Sequence, residues 1–181
     1  MDARDDRELL ESAQAGDLSA LGILFERHHQ AVHALCYRLT GNAAAADDLT
    51  QESFLRILRY KGRFDGRAKF TTWLYRLVRN RCLDHMAGER RDRKRLELFA
   101  ADVSTTGHTP EREDERAGLV RDALSRLPPE KREVLVLSRF EDLGYRDIAV
   151  ICDISVENVK VRAHRAIREL RRIYQELERE A

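Results

Sequence analysis

Residues that interrupt helices are scarce in this chain of 181 residues, which has only three prolines and nine glycines. Alternating runs of Val, Ile and Thr, which would indicate strands, are almost absent as well. Long segments are therefore free to form helices, and the apolar residues, 43% of the total, are numerous enough to build real cores. The sequence predicts an all-α fold.

Signals for membranes and secretion are also missing. No apolar run approaches the roughly 18 residues of a spanning helix, and the acidic residues 1–11 lack the basic and apolar stretches of a signal peptide. The cysteines Cys36, Cys82 and Cys152 are an odd, widely separated set within helical patterns. We expect them to be reduced and the protein to be cytoplasmic.

Catalytic sequence patterns are a further absence. The chain has no glycine-rich phosphate loop, nucleophile elbow or HExxH pair, so an enzyme is the least favoured class and no cofactor is expected. His29, His33 and Cys36 lie at positions i, i+4 and i+7 of one predicted helix, which leaves a metal-binding face open as an alternative. Because a fourth ligand is not evident, no metal site is predicted.

Charge is abundant, and its distribution along the chain is uneven although the net charge is only +1. Residues 1–53 sum to −6, residues 54–95 to +10, residues 96–144 to −4 and residues 145–181 to +1. Within the last segment, residues 155–172 hold six basic and two acidic residues. Two basic segments separated by acidic ones indicate two surfaces that meet a polyanion.

Apolar periodicity and turn residues divide the chain into helices. Asp17 or Ser19 is expected to cap the second helix, Gly41 and Asn42 to end it, and Pro129 to begin a later one. Residues 101–110 are small and polar, as in a linker. The predicted elements are helices at 4–15, 17–41, from 43, 69–86, 111–127 and 129–140, with a basic loop at 61–69 and a charged run at 89–95 after the fourth helix.

The strongest local pattern is a helix-turn-helix at residues 144–162. A short helix carrying Ile148, Ala149 and Ile151 is followed by a turn and by Ser155 as the N-cap of the next helix. In this motif the second helix enters the major groove of DNA with its N-terminal residues first.

Helical spacing sorts the residues of this second helix onto two faces. We predict contacts with base edges by Asn158, Val161 and Arg165. Contacts with phosphates are assigned to Lys160, Arg162, Arg168 and Arg172. The predicted apolar face comprises Val156, Val159, Ala163, Ala166, Ile167, Leu170 and Ile173.

Three features of the N-terminal half combine with this motif. Residues 47–54 place Asp48 and Glu52 one helical turn apart beside Gln51. Residues 63–70 form a loop that mixes aromatic and cationic side chains. The helix that follows carries one stripe of residues at a spacing of three or four, namely Trp73, Arg76, Asn80 and Asp84.

In this order, followed by a linker and a helix-turn-helix, these segments resemble the sigma-70 family of bacterial RNA polymerase sigma factors. The resemblance is to the compact extracytoplasmic-function group and covers residues 8–90 and 112–174. It implies two small helical domains: residues 1–95 for core polymerase and the −10 element, and residues 112–181 for the −35 element. Residues 96–111 are then a flexible linker.

The resemblance also implies roles for individual residues. The segment matching the one that docks on the β′ clamp helices is expected to use Asp48, Leu49, Gln51, Glu52 and Phe54. The segment that opens and reads the −10 element is expected to use Arg63, Phe64, Arg67, Lys69, Phe70, Trp73, Arg76 and Asn80. The match implies that Lys160, Arg162 and Arg165 contact the −35 element. The helical faces add Asn158, Val161 and Arg168 to the residues expected there.

Partners follow from the same resemblance. It implies binding to core RNA polymerase at the β′ clamp helices and the β flap, binding to promoter DNA, and inhibition by an anti-sigma factor.

The chemistry of the basic segment agrees with the −10 assignment. Capture of single-stranded DNA requires cations for the backbone, flat side chains for unstacked bases and polar groups for a flipped base, and residues 56–95 supply all three.

Two positions depart from the family pattern, and one other class of function remains open. Asp153 stands where glycine is common in the turn, so a slightly strained left-handed residue is expected there. Val161 stands where a small polar residue is frequent, which affects the −35 preference. A helix-turn-helix regulator of duplex DNA is the alternative, although it would leave the basic segment and the acidic docking face without a role.

The sigma-factor hypothesis requires two cationic surfaces on separate helical bundles, with Arg76 and Arg165 not neutralised by acids.

Overall fold

The computed structural model describes residues 3–99, 115–141 and 143–180, and within these ranges the chain is all helical with no strand. The all-α prediction is therefore confirmed. In chain order the helices are α1 (Asp6–Gln14), α2 (Ser19–Thr40), α3 (Ala43–Tyr60), α4 (Phe70–Phe99), α5 (Glu115–Ser125), α6 (Pro129–Arg139), α7 (Tyr145–Cys152) and α8 (Val156–Glu180), with one turn of 3-10 helix at Lys61–Arg63.

Several helix ends lie where their turn residues predicted them. Gly41 ends α2 in the left-handed region at φ +72°, which glycine adopts at little cost. Asn42 then caps α3, because its side-chain oxygen accepts a hydrogen bond of 3.1 Å from the Ala45 N–H. Pro129 occupies the first turn of α6, where its missing N–H would be unpaired in any case.

The start of α2 and the end of α4 differ from the sequence prediction. Leu18 precedes α2 directly and makes no side-chain cap, while Asp17 accepts hydrogen bonds from the Ser19 N–H and hydroxyl at 3.1 and 2.5 Å. The prediction that the fourth helix ends near Met86 is wrong, since α4 continues through the charged run to Phe99. Straight-chain Arg, Lys and Glu are good helix formers, and no proline interrupts them.

Helices α1–α4 form an N-terminal unit around an apolar core. The amphipathic faces of α2 and α4 supply its centre, with Leu35 and Leu39 from one helix and Leu74 and Val78 from the other, all at most 2% exposed. Helix α1 closes one side with Leu9 and Leu10, which are fully buried. Burying side chains of this size is the main favourable term in folding.

Helices α5–α8 form a C-terminal unit that contains the helix-turn-helix. Asp153 ends α7 in the left-handed region at φ +56° and ψ +49°, as expected for this turn. The Ser155 hydroxyl oxygen accepts a hydrogen bond of 3.2 Å from the Asn158 N–H and so caps α8. Leu127, Leu135, Ala166 and Ile173 are among the residues that pack the centre of this unit.

The two units also pack against each other, which was not expected for separate bundles. Helix α7 lies on α4, and α6 lies on α2. Val136, Ile148 and Ile151 of the C-terminal unit are fully buried in the same apolar cluster as Leu74 and Val78. The predicted linker at 96–111 overlaps the end of α4 at residues 96–99, and its remainder lies outside the described residues.

None of the described helices combines sufficient length with sufficient apolarity to cross a bilayer.

The left-handed turn residue provides a test of the motif. We expect Asp153→Gly to raise the free energy of unfolding by about 0.5–1 kcal/mol, because glycine removes the Cβ strain at this φ. Urea unfolding of the full chain measures this change. The matched control is Asp122→Gly on the right-handed helix α5, which should be destabilising. Equal effects of the two substitutions would contradict the prediction.

Candidate functional site

The outward face of α8 presents the predicted DNA-contacting residues to solvent. Asn158, Lys160, Val161, Arg165 and Arg168 are all exposed, as the helical spacing predicted. Their exposure follows from the opposite face, where Val159, Ala163, Ala166, Ile173 and Leu177 pack into the cores. Such a helix has a cationic face that is free to enter a groove.

Arg162 is placed differently from its neighbours on α8. Its side chain is 35% exposed, and its Nη1 lies 3.8 Å from Oε1 of Glu133 on α6. This long contact turns the guanidinium toward the border of the face rather than its centre. The contact of Arg162 with phosphate rather than with a base stays a prediction.

A cleft of about 460 Å³ continues the cationic face along α8. It is lined by Lys131 at the start of α6 together with Arg165, Arg168, Glu169 and Arg172. Lys131 forms an ion pair with Glu169, so the acid is already partnered within the cleft. Sequence reasoning missed Lys131, because no local pattern near Pro129 shows which part of α8 it faces.

The aromatic residues of the basic loop are arranged as a packed cluster. Phe64 and Phe70 are 8% and 3% exposed, and both contact Trp73, with ring centroids 5.5 and 6.1 Å away. The two phenylalanines were expected to read the −10 element directly, but their burial limits them to supporting the loop. Trp73 is half-buried and keeps part of its indole accessible.

Cations of the loop and of α4 are exposed to solvent. The side chains of Arg67 and Lys69 are 90% and 75% exposed. Arg63 stacks over the Tyr60 ring at 4.8 Å. Arg76 and Asn80 lie exposed on the next turns of α4. The predicted −10 cations are therefore exposed, on the loop and on the second turn of α4.

Helix α1 holds the loop in place, a feature that sequence reasoning missed. The Gln14 side-chain amide donates to the carbonyl oxygens of Lys61 and Phe64 at 2.6 and 3.3 Å, and the Lys61 ammonium donates to the Ala13 carbonyl. The Arg7 guanidinium lies against Gly66, 3.2 Å from where a Cβ would stand. Gly66 has φ +71°, a left-handed conformation that favours glycine.

The acidic face predicted for docking lies on α3, and its five predicted residues differ in accessibility. Asp48 and Gln51 are exposed. Glu52 forms ion pairs with Arg81 and Arg56 at 2.5 and 3.4 Å. The direct docking role expected for Leu49 is wrong: the side chain is 2% exposed because it points into the core.

Phe54 belongs to an apolar patch that adjoins this face and that the sequence did not reveal. Its ring is half-buried and lies edge-on to Phe25, with centroids 4.8 Å apart. Leu18, Leu55 and Leu58 are 60%, 65% and 43% exposed. Together with Gln51 these side chains line a cleft of about 500 Å³ between α2 and α3. Spacing alone could have suggested it, because Leu55 and Leu58 share a face with Gln51.

The three residues of the alternative metal face do not converge. Cys36 is fully buried, whereas His33 reaches the surface and lies 3.0 Å from Asp47. The His29 ring lies parallel to Phe25 at 4.9 Å. Among the described residues, no group of three His, Cys, Asp or Glu side chains could hold a metal ion.

Two family models match this chain. The model described as Sigma-70 region 2 matches residues 24–92, and the model described as Sigma-70, region 4 matches residues 117–170. The first covers the basic loop, α4 as far as residue 92 and the acidic face of α3, while the second covers the helix-turn-helix.

Curated relatives match nearly the whole chain. RNA polymerase sigma-H factor of Pseudomonas aeruginosa is 32% identical, with 97% of each chain covered. RNA polymerase sigma factor CarQ of Myxococcus xanthus is 31% identical, with 94% of this chain and 98% of the relative covered. ECF RNA polymerase sigma factor SigM of Mycobacterium tuberculosis is 34% identical over 94% of this chain and 85% of the relative.

Solved structures share the fold. The sigma factor RpoE of Bartonella quintana, in complex with the anti-sigma factor NepR, has a TM-score of 0.72 at 21% identity, covering 85% of this chain and 96% of that one. CnrH, in complex with the cytosolic domain of CnrY, has a TM-score of 0.70 at 25% identity, covering 94% and 97%.

The buried aromatic residues of the loop should contribute more to stability than its exposed cations. We expect Phe64→Ala to lower the free energy of unfolding by about 3 kcal/mol, because it leaves a cavity beside Phe70 and Trp73. The control Arg67→Ala, on the same loop, should change it by less than about 0.5 kcal/mol. Urea unfolding measures both. A stability loss no larger for Phe64→Ala than for Arg67→Ala would show that the aromatic cluster does not support the loop.

Proposed function

Because the chain belongs to the sigma-70 family of RNA polymerase sigma factors, in its extracytoplasmic-function group, and acts as a promoter-directing sigma factor, we propose how its surfaces divide this work. Residues 1–95 bind core polymerase and the −10 element, and residues 112–181 bind the −35 element, with residues 96–111 as the linker. The observation that carries this assignment is the presence of two exposed cationic faces. On neither face does the central arginine, Arg76 or Arg165, pair with an acid among the described residues.

The C-terminal unit reads duplex DNA through α8. Asn158, Val161 and Arg165 meet base edges, and Lys160, Arg162 and Arg168 meet phosphates. Val161 is 46% exposed, so its methyl groups are available to a thymine methyl. The cleft between Lys131 and the arginines of α8 extends the phosphate contacts along one strand.

The N-terminal unit captures one strand of the −10 element as the duplex opens and the strand becomes single-stranded. Arg63, Arg67 and Lys69 of the loop neutralise the backbone, while Arg76 and Asn80 of α4 read an unpaired base. Since Phe64 and Phe70 are buried, the unpaired base stacks on the accessible part of the Trp73 indole. The two phenylalanines stabilise the conformation of the loop. Binding free energy, with no catalytic step, favours the open strand.

Core polymerase docks on the exposed part of α3 and on the adjoining apolar patch. Asp48 and Gln51 supply polar contacts at the rim. Leu18, Phe25, Leu55 and Leu58 supply the apolar centre, a combination typical of protein interfaces. The β′ clamp helices are the proposed occupant of this face, and the β flap the proposed contact of the C-terminal unit.

The cellular context follows from these partners. A protein that works with RNA polymerase on promoter DNA acts in the cytoplasm, without a cofactor or catalysis of its own. Solved relatives are complexes with anti-sigma factors, which supports an inhibitory partner of this kind for this chain. The alternative, a regulator of duplex DNA alone, is not favoured, because both sigma-70 regions are matched.

Docking is tested by single changes on α3. We expect Asp48→Lys, and separately Leu55→Asp, to weaken binding to core polymerase at least about tenfold, which is about 1.4 kcal/mol. Glu52 is unsuitable for this test because its ion pairs with Arg81 and Arg56 support the fold. Fluorescence anisotropy with core polymerase is the measurement, and Glu178→Lys on α8 is the control. Binding equal to that of the control would refute the docking assignment.

Recognition of the −35 element is tested on α8. We expect Arg165→Ala to cost about 1–3 kcal/mol of promoter binding if Arg165 contacts a base, and to relax the preference at one position of the element. Lys160→Ala should instead weaken all sequences alike. Initiation assays with the holoenzyme on promoters carrying single base changes measure both effects. An unchanged preference in the Arg165 variant would reject the base contact.

A further inference from the structure

The cationic face of α4 continues beyond the residues assigned to the −10 element. Arg91 follows Trp73, and Lys94 follows Arg76, by 18 residues, which is about five turns of α-helix. Each later residue therefore projects from the same side of the helix as the earlier one. Arg91 and Lys94, here called the distal pair, are exposed and lie about 27 Å further along the helix axis.

The distal pair lies beyond the packed part of the N-terminal unit. Among residues 70–95, Cys82 is the last buried one, and every residue from 89 to 95 is exposed. Apolar burial therefore does not explain the composition of this exposed segment. Five of the residues at 89–95 are basic and two are acidic, so the segment presents an excess of positive charge to solvent.

The acids of α4 do not neutralise the distal pair. Glu89 and Asp92 lie roughly 170° and 130° around the helix from the side that carries the pair. Asp84, which does share that side, is paired with Arg81 at 3.5 Å. Among the described side chains, no acid forms an ion pair with either member of the distal pair.

The other cations of the segment face a different neighbour. Arg90 and Arg93 lie within about 40° of Arg79 around the helix, and Arg79 binds Glu133 of α6. Burial lowers the pKa of the Arg132 guanidinium, and the charge of Arg90 lowers this pKa further, which indicates that Arg90 lies near α6. Arg90 and Arg93 therefore provide a matched comparison for the distal pair.

The length of the chain limits where the end of α4 can lie on a promoter. The names of the two elements place them about 25 base pairs apart, which at about 3.4 Å per base pair is about 85 Å of duplex. Between Phe99 and Glu115, the 16 peptide links reach at most about 55 Å, and the C-terminal unit is about 28 Å across. If α4 pointed away from the −35 element, its end would lie about 120 Å from that element, which exceeds this reach.

The end of α4 therefore points toward the −35 element when both elements are bound. The distal pair then lies over the part of the spacer duplex next to the −10 element, since about eight base pairs fit within 27 Å. Exposed arginine and lysine side chains are typical ligands of DNA phosphates. Phosphates are present at every step of the duplex, so such contacts need no particular base sequence.

We propose that Arg91 and Lys94 bind backbone phosphates of the spacer duplex between the two promoter elements, and so anchor α4 on DNA independently of sequence. This inference rests on the proposed function, which supplies the two elements and their order. The contact differs from the −10 assignment because it involves paired DNA outside both elements and reads no base. A purely structural role, in which cations near the end of α4 offset the helix dipole, would involve Arg90 and Arg93 as much as the distal pair.

The test compares two double substitutions in the full chain bound to core polymerase. The distal variant is Arg91→Gln with Lys94→Gln. The matched control is Arg90→Gln with Arg93→Gln, which removes the same charge from another side of the same segment. Glutamine keeps the helix propensity in both variants, and circular dichroism verifies their helices. Promoter binding is measured against salt concentration, because each phosphate contact adds about 0.9 to the slope of log affinity against log salt.

We expect the distal variant to reduce this slope by about 1.8, and the control to change it by less than about 0.5. Between about 50 and 200 mM salt, the wild-type chain should therefore lose about tenfold more affinity than the distal variant. The exchange Arg91→Lys with Lys94→Arg should keep the wild-type slope, because either cation binds a phosphate. Equal slopes in the distal variant and the control would overturn the proposal.

Neutral phosphate analogues locate the contact on the DNA. Promoter duplexes with methylphosphonate links in the spacer beside the −10 element should bind the wild-type holoenzyme at least about fivefold more weakly than duplexes with the same links upstream of the −35 element. The distal variant should bind both duplexes equally well. A spacer effect of the same size in wild type and variant would overturn the proposal. Weaker binding of the distal variant to core polymerase without DNA would assign the pair to polymerase and overturn it as well.

The proposed function and this inference fail in different ways. A wild-type holoenzyme that binds promoters no better than DNA without either element would refute the proposed function, and the inference with it. A wild-type holoenzyme that requires both elements, but whose binding is unaffected by neutral spacer phosphates, would refute the inference alone.

Discussion

The structure depends on a division of α4 into faces that serve different neighbours. One face buries Leu74, Val78 and Cys82 in the N-terminal core. A second meets α7 and α6 through Thr72 and Arg79. The third leaves Arg76 and Asn80 in water. A helix repeats every 3.6 residues, so one segment can satisfy all three demands, and loss of register on any face would disturb the other two.

Much of the fold could be predicted because its signals are local. Gly41, Asn42, Pro129 and Ser155 act through their own backbone or one neighbouring turn, and the two faces of α8 follow from spacing alone. The continuation of α4 to Phe99 was missed because charged residues without an apolar stripe look like a helix end, although they form helix well.

The candidate site was predicted less completely, since accessibility is a tertiary property. Spacing placed Arg76 and Arg165 on exposed faces, but it could not show that Phe64 and Phe70 pack with Trp73, or that Leu49 lies in the core. The cleft that Leu55 lines between α2 and α3, and the pairing of Arg79 with Glu133 between the units, depend on elements far apart in the chain. Those contacts exist only after the helices have been assembled.

The anchoring of the basic loop by α1 has a consequence for how specificity can vary. The family match for the N-terminal half begins at residue 24, yet Gln14 hydrogen-bonds the carbonyl oxygens of Lys61 and Phe64. The Ala13 carbonyl accepts from the Lys61 side chain, and Arg7 lies beside Gly66. In two chains with identical loops but different first helices, the loops would therefore differ in their orientation on the N-terminal unit. A loop transplanted without its first helix would therefore lose the hydrogen bonds that position it.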